Sequence, residues 1–155
     1  MNSIASNCLL ETFCRAVETL AFLSPMPAEQ PYHPPDALLL VQLSLTEKSG
    51  AAQTLELVTG VNMGALIVSN LMGAEPESFD SQSRALDSLK ELANVVGGQV
   101  AIATSAGACE PPELGIPRVR PFNADRQWRP FVEDPQACVV DVEGNLVAMR
   151  IRGGE

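Results

Sequence analysis

A chain of 155 residues has the length of one domain, enough to bury about 70% of the surface its extended form would expose and too little for two independent cores. Hydrophobic residues at 46% and charged residues at 19% exclude wholesale disorder. A net charge of −9 repels phosphate backbones and anionic headgroups, which argues against nucleic-acid and membrane-surface binding.

The charge is unevenly placed. Residues 1–117 carry 13 acids and four basic residues (Arg15, Lys48, Arg84, Lys90), whereas residues 118–155 carry six of each. The start, MNSIASNCLLETF, has no basic leader and meets Glu11 before an apolar run can form, so no signal peptide is expected and the setting is cytoplasmic. No stretch approaches the ~20 apolar residues of a membrane span. Cys8, Cys14, Cys109 and Cys138 lack C-x-x-C spacing and His33 is the sole histidine, so no metal site is expected and the thiols are expected to be free and mostly buried.

In chain order, residues 3–23 read as a helix, with Leu9, Phe13, Val17, Leu20 and Ala21 on its inner stripe. Residues 24–36 hold five prolines and read as an extended connection, with Tyr32 and His33 covering a core edge. Val41, Leu43 and Leu45, then Leu55 and Leu57, alternate with polar residues about Lys48-Ser49-Gly50, a hairpin. Residues 61–73 read as a short helix with Met63, Leu66, Ile67 and Leu71 inward, and 74–80 as an acidic connection. A long helix over 81–105 follows. Strands are expected at 116–120, 138–142 and 146–152, the last two joined at Glu143-Gly144-Asn145. Residues 121–136 read as an irregular loop anchored by Trp128 and Phe131. The fold class is α+β, an antiparallel-rich sheet with helices on a face, in two similar helix-then-strands units (3–58 and 81–152), although no strong sequence repeat marks them.

The long helix carries the strongest signal. At 100° per residue, Ala85, Leu86, Leu89, Leu92, Ala93, Val96, Val100 and Ala103 fill a core-facing arc, and Asp87, Glu91, Asn94 and Gly98 form an opposite, solvent-side stripe that continues into Ala101 and Ser105. Glu91 and Asn94, one turn apart, can reach the same external point. Each glycine of Gly97-Gly98 costs ~1 kcal/mol against alanine in a helix interior. The pair therefore indicates either a close approach of another backbone, from within the chain or from a docked partner, or a kinked helix end.

The order Asp87, three residues, Glu91, two residues, Asn94, twenty-two residues, Pro117, together with ELANVVGG and GIPRV around those positions, resembles the CheC/CheX/FliY family of chemotaxis phosphatases, and specifically its CheX-type members. Glu-x-x-Asn alone arises by chance roughly once in three chains of this length, whereas the four-position pattern has a chance expectation on the order of 0.002. The resemblance covers about residues 3–152 and implies a CheC-like fold over a single domain, 1–155. It also implies hydrolysis of the aspartyl phosphate on a receiver domain of the chemotaxis type, with Glu91 and Asn94 catalytic. Asp87, Lys90 and Gly98 would meet the partner, and Pro117 would shape the first strand after the helix. No cofactor of its own is implied, because the receiver supplies Mg²⁺. In the first helix the counterpart of Glu91-x-x-Asn94 is Glu18-Thr19-Leu20-Ala21, alanine standing where an amide belongs, which leaves one site per chain. CheX-type members also imply a homodimer paired through sheets.

Four other readings compete. Without Asp87, Gly98 and Pro117, the Glu91/Asn94 pair would read as an ordinary solvated helix face. A docking module could bind a receiver through the same face without chemistry, though it would not need both Glu91 and Asn94. A Cys/His hydrolase built on His33 lacks a placed thiol and any G-x-S-x-G, and no G-x-x-x-x-G-K-[ST] supports nucleotide binding.

Overall fold

The structure, a computed structural model, describes residues 4–72, 81–104 and 110–153; the acidic connection 74–80, Ser105 and Cys109 lie outside them. In chain order the elements are α1 (Ile4–Ala21), β1 (Pro25–Pro27), β2 (Leu38–Thr46), β3 (Ala52–Gly60), α2 (Val61–Met72), α3 (Ser81–Thr104), β4 (Glu113–Leu114), β5 (Arg118–Pro121), a π-helical turn Ala124–Trp128, α4 (Arg129–Val132), β6 (Cys138–Val142) and β7 (Asn145–Gly153).

All strand pairs are antiparallel and form one sheet in the order β1-β6-β7-β3-β2, with β4 and β5 both pairing the outer side of β2. The β2–β3 and β6–β7 hairpins lie side by side through β3 and β7, the arrangement expected of two similar units, each with its own long helix. The hairpin turns use the chemistry the sequence supplies. Gly50 has φ +89°, and Glu143 and Gly144 have φ +51° and +91°, so β6 and β7 are joined by a two-residue turn in which Asn145 already pairs Val142.

The two-residue period sorts β2 and β3 into two faces. Val41, Leu43, Leu45, Leu55 and Leu57 are buried under α1, α2 and α3, whose contribution includes Leu9, Phe13, Val17, Met63, Leu89, Leu92 and Val96. A second apolar cluster sits on the opposite face, where Trp128 and Phe131 cover Leu38, Leu40, Val58 and Ala148. The indole Nε1–H of Trp128 donates to the Tyr32 carbonyl at 2.9 Å, tying the proline-rich segment to this outer layer. Phe122 stands edge-on to Phe131, ring centroids 5.9 Å apart. Trp128 and Phe131 are the anchors the sequence suggests, and Tyr32 does cover a core edge, whereas His33 is exposed and does not.

Several expectations need correction. Residues 25–27 are not merely a connection but a strand on β6, tolerated because prolines fit a sheet edge. The segment 121–136 is not irregular throughout: Asn123 Oδ1 caps the π-helical turn by accepting from Arg126 N–H at 3.1 Å, and α4 follows with proline near its start. The strand expected at 116–120 begins at Arg118, after a separate two-residue β4. Leu20 and Leu71 are exposed, at 38% and 55%, although Ala21, the last residue of α1, is buried as expected. At the end of α3 the roles of two alanines are exchanged, Ala101 being buried and Ala103 exposed.

Glu56 is buried on the outer face. It pairs with Arg152 and, at 3.6 Å, with Arg150, which also binds Asp134 at 2.8 Å and stacks its guanidinium 4.2 Å above the Phe131 ring. Among the described residues Cys8, Cys14 and Cys138 form no disulfide; Cys138 is buried and the others half-buried. Burial pushes the Cys138 and Cys14 thiols above the ordinary value, with each raised further by negative charge nearby, Cys14 for the former and Glu18 for the latter. Among the described residues no helix is long and apolar enough to cross a membrane.

Candidate functional site on the long helix

Two close contacts fix α3. Near its start, Gly64 of α2 lies so close that a β-carbon there would stand 2.4 Å from the Ala85 carbonyl oxygen. The Ser88 hydroxyl bridges the two helices, within 3.0 Å of the Gly64 oxygen and 2.8 Å of the Ala85 oxygen. Farther along, a β-carbon on Gly97 would stand 2.4 Å from Leu43 Cδ2, in the buried layer between α3 and β2. The helix runs unbroken past both glycines to Thr104. Gly97 therefore serves a close approach within the chain, to a side chain rather than a backbone, and the kinked helix end is excluded.

Gly98 differs from its neighbour. It is half-buried, and a β-carbon there would meet only Leu114 Cδ1 at 3.7 Å, an ordinary contact. Nothing packed inside the described residues requires glycine at 98.

The arc and the stripe fall where the periodicity places them, save for Leu86, which is half-buried at the edge of the arc and not in the core, and for the alanine exchange at the end. Ala85, Leu89, Leu92, Ala93, Val96 and Val100 are buried; Asp87 and Glu91 are exposed, and Lys90, Asn94 and Gly98 are half-buried. The structure thus brings Asp87, Glu91, Asn94 and Gly98 to one solvent-facing side of a rigid helix, with Lys90 at its flank. Among the described residues no side-chain hydrogen bond or ion pair engages Glu91 or Asn94, which leaves carboxylate and carboxamide available to a partner. Asp87 and Glu91, four apart, repel each other mildly, so the stripe favours a cationic group from outside.

Pro117 lies half-buried in the bridge between β4 and β5, where Gly115 N–H donates to the Ser44 carbonyl at 2.8 Å. It precedes the first residue of β5, as a proline that begins an edge strand does. In α1, Glu18 is exposed but Ala21 is buried, and its carbonyl accepts from Asn70 Nδ2 at 2.9 Å. The first helix therefore presents no amide beside its glutamate. His33 is exposed in the proline-rich segment, and no three His, Cys, Asp or Glu side chains among the described residues converge as metal ligands would.

What sequence reasoning missed is the support beneath the stripe. Gly64 inside a short helix was a visible cue for a close helix crossing; Ser88, an ordinary helix residue by spacing, gave none.

No family model matches the chain, and no curated protein does. Solved structures do. The chain is similar to the chemotaxis protein CheX of Desulfovibrio desulfuricans, at 13% identity and a TM-score of 0.68 over 97% of this chain and 99% of that one. It is similar to a CheC-like superfamily protein of Shewanella sp. PV-4, at 16% identity and a TM-score of 0.65 over the whole of both chains. A third likeness is to a Borrelia burgdorferi structure described as a complex of CheX, CheY, BeF₃ and Mg²⁺, at 11% identity and a TM-score of 0.67 over 96% and 97%. The chain has the α+β fold of the CheX and CheC-like chemotaxis proteins.

Proposed function

We propose that this protein is a CheX-type phosphatase that hydrolyses the aspartyl phosphate of a chemotaxis-type receiver domain in the cytoplasm, and so ends a phosphorelay signal. The observation that carries this reading is the Glu91/Asn94 pair, unengaged by any other side chain among the described residues, on the solvent side of a helix held by buried contacts, in a chain with the fold of CheX. That a CheX structure of the same fold is described in complex with CheY supports a receiver as the partner.

The chemistry asks little of the helper. A receiver's acyl phosphate brings its own Mg²⁺ and charge compensation, so catalysis is mainly the placement of a water in line with the P–O bond to the aspartyl oxygen. The Asn94 carboxamide holds that water. Attack forms the new P–O bond, the aspartyl carboxylate departs with the electron pair of the broken bond, and the water's proton is released to solvent or to the phosphate product. A neutral amide does this without repelling the phosphoryl oxygens. Glu91 takes a cationic side chain of the receiver, fixing register through a charge-assisted contact. Asp87 and Lys90 border the contact, and Gly98 keeps the surface beyond Asn94 low.

The test is phosphate release from an acyl-phosphorylated receiver with Mg²⁺ and sub-stoichiometric protein. Asn94→Ala is expected to lose 10²–10³ in rate, the ~2–4 kcal/mol of one preorganised polar group, while keeping its fold and its affinity for the receiver. Glu91→Ala is expected to weaken both binding and turnover. Equal inertness of wild type and Asn94→Ala toward every receiver, with binding retained, would establish a docking module instead.

A further inference from the structure

The outer face of the sheet, on the side away from α3, holds a group of cations unusual for so acidic a chain. The strand registers align Arg118, Gln42, Glu56 and Arg150 in one row across β5, β2, β3 and β7. Ser44, Thr54 and Arg152 form the next row, and Arg120 stands opposite Leu40 in the row before. Four of the chain's ten basic residues thus share one end of one face. Arg150 and Arg152 are matched by Asp134 and Glu56. Arg118 and Arg120 are exposed, two residues apart on the same side of β5, and no ion pair or hydrogen bond among the described residues engages their side chains.

Beside Arg118 the face is hollowed. A depression of about 480 Å³ is lined by Gln42, Ser44, Thr54, Gly115, Ile116 and Arg118. One wall is the β4–β5 bridge, which passes so close to β2 that a β-carbon on Gly115 would stand 3.2 Å from Ser44 Cβ. A guanidinium, two hydroxyls and a carboxamide around a hollow open to solvent suit a carboxylate, because arginine binds it through two parallel N–H···O bonds and the hydroxyls and amide satisfy what remains.

Arg118 and Arg120, alternate residues of β5, stand about 7 Å apart along the strand. That is the spacing of alternate side chains on an extended chain, so a segment with carboxylates at every second residue can meet both arginines. The register places one further acid here, Glu113 opposite Thr46, at the far corner from Arg120.

We propose that this end of the outer sheet face is a docking surface for an acidic polypeptide segment, one carboxylate seated in the Arg118 depression and a second on Arg120. The ligand is a run of Asp and Glu on a partner protein. The surface lies across the sheet from the Glu91/Asn94 stripe, so the proposal stands independently of the phosphatase reading.

The test uses the full chain and a fluorescein-labelled peptide of ten residues, alternating Glu and Ser, with binding read by anisotropy. Saturable binding is expected, weakening as salt rises. Arg118→Ala and Arg120→Ala are each expected to weaken it about tenfold, Ser44→Ala about threefold, and Lys48→Ala not at all. Circular dichroism checks that each variant folds. No saturable binding at low salt would overturn the proposal, as would equal loss with Lys48→Ala. Equally tight binding of a thymidine decanucleotide would also overturn it by showing unselective attraction for polyanions. So would sedimentation showing that wild type self-associates and that Arg118→Ala abolishes it, because the face would then belong to a second copy.

Discussion

Adding one methyl group at each of two adjacent glycines of α3 should move stability in opposite directions. In a helix interior alanine is favoured over glycine by about 1 kcal/mol. At Gly98 the new β-carbon meets only Leu114 Cδ1 at 3.7 Å, so Gly98→Ala should keep that gain and raise the melting temperature by about 3 °C for a chain of this length. At Gly97 the β-carbon falls 2.4 Å from Leu43 Cδ2, more than 1 Å inside ordinary contact. Leu43 is 1% exposed and cannot swing into solvent, so the layer between α3 and β2 must spread. Overpacking of that kind costs about 1–3 kcal/mol, which cancels the helix gain and leaves a net loss of up to about 2 kcal/mol. Urea and thermal unfolding of the two variants decide the matter. If both stabilise, or both destabilise alike, the assignment of Gly97 to internal packing and Gly98 to an outward surface is wrong. A receiver assay adds the functional half: on the proposed function, Gly98→Ala, though more stable, should raise the KM for the phosphorylated receiver, because the methyl would stand in the proposed contact.

Ser88→Ala removes the hydroxyl bridge to Gly64 and should cost about 1 kcal/mol, with the site less well held and kcat reduced; an unchanged urea midpoint would show that the bridge adds nothing. Arg150→Ala leaves Asp134 unpaired and buried Glu56 with only Arg152, so a loss of about 2–3 kcal/mol in urea unfolding is expected, less than for a pair broken outright. The thiols give a pH dependence. Cys138 and Cys14 stay protonated in the folded chain at pH values where unfolded thiols, near 8.5, already ionise. The unfolded state then binds fewer protons, and stability falls as pH rises above about 8.5. The urea midpoint should drop between pH 7.5 and 9.5, and by less in Cys138→Ala; parallel slopes would refute this.

The long helix was legible because its apolar period continues for more than four turns, Ala85 to Val100, on one buried arc, so the opposite stripe followed by rotation alone. The hairpins were legible from alternation and from glycines at φ-positive turns. What escaped has a common cause, a partner distant in sequence. Five prolines hid β1, whose pairing with β6 is decided more than a hundred residues away. Glu56 read as the solvent side of an alternating strand, yet it is buried because Arg150 and Arg152 reach it from β7. Leu71 and Ala103 were placed inward by extending a stripe past the end of the core it serves. Two local signals went unused: Gly64 inside a short helix, and Asn123, which caps the π-helical turn that leads into α4, with Pro130 soon after.

The single tryptophan gives the molecule a built-in reporter. Trp128 is 4% exposed, its indole bonded to Tyr32 in the layer under the sheet, on the other side from the Asn94 stripe. Its emission should be blue-shifted in the native state and red-shift when the outer layer opens, even if α3 and its neighbours still stand. A receiver bound at the stripe would leave that signal unmoved. Fluorescence therefore separates loss of fold from loss of partner in every variant above, without a label and in the same cuvette as the phosphate assay.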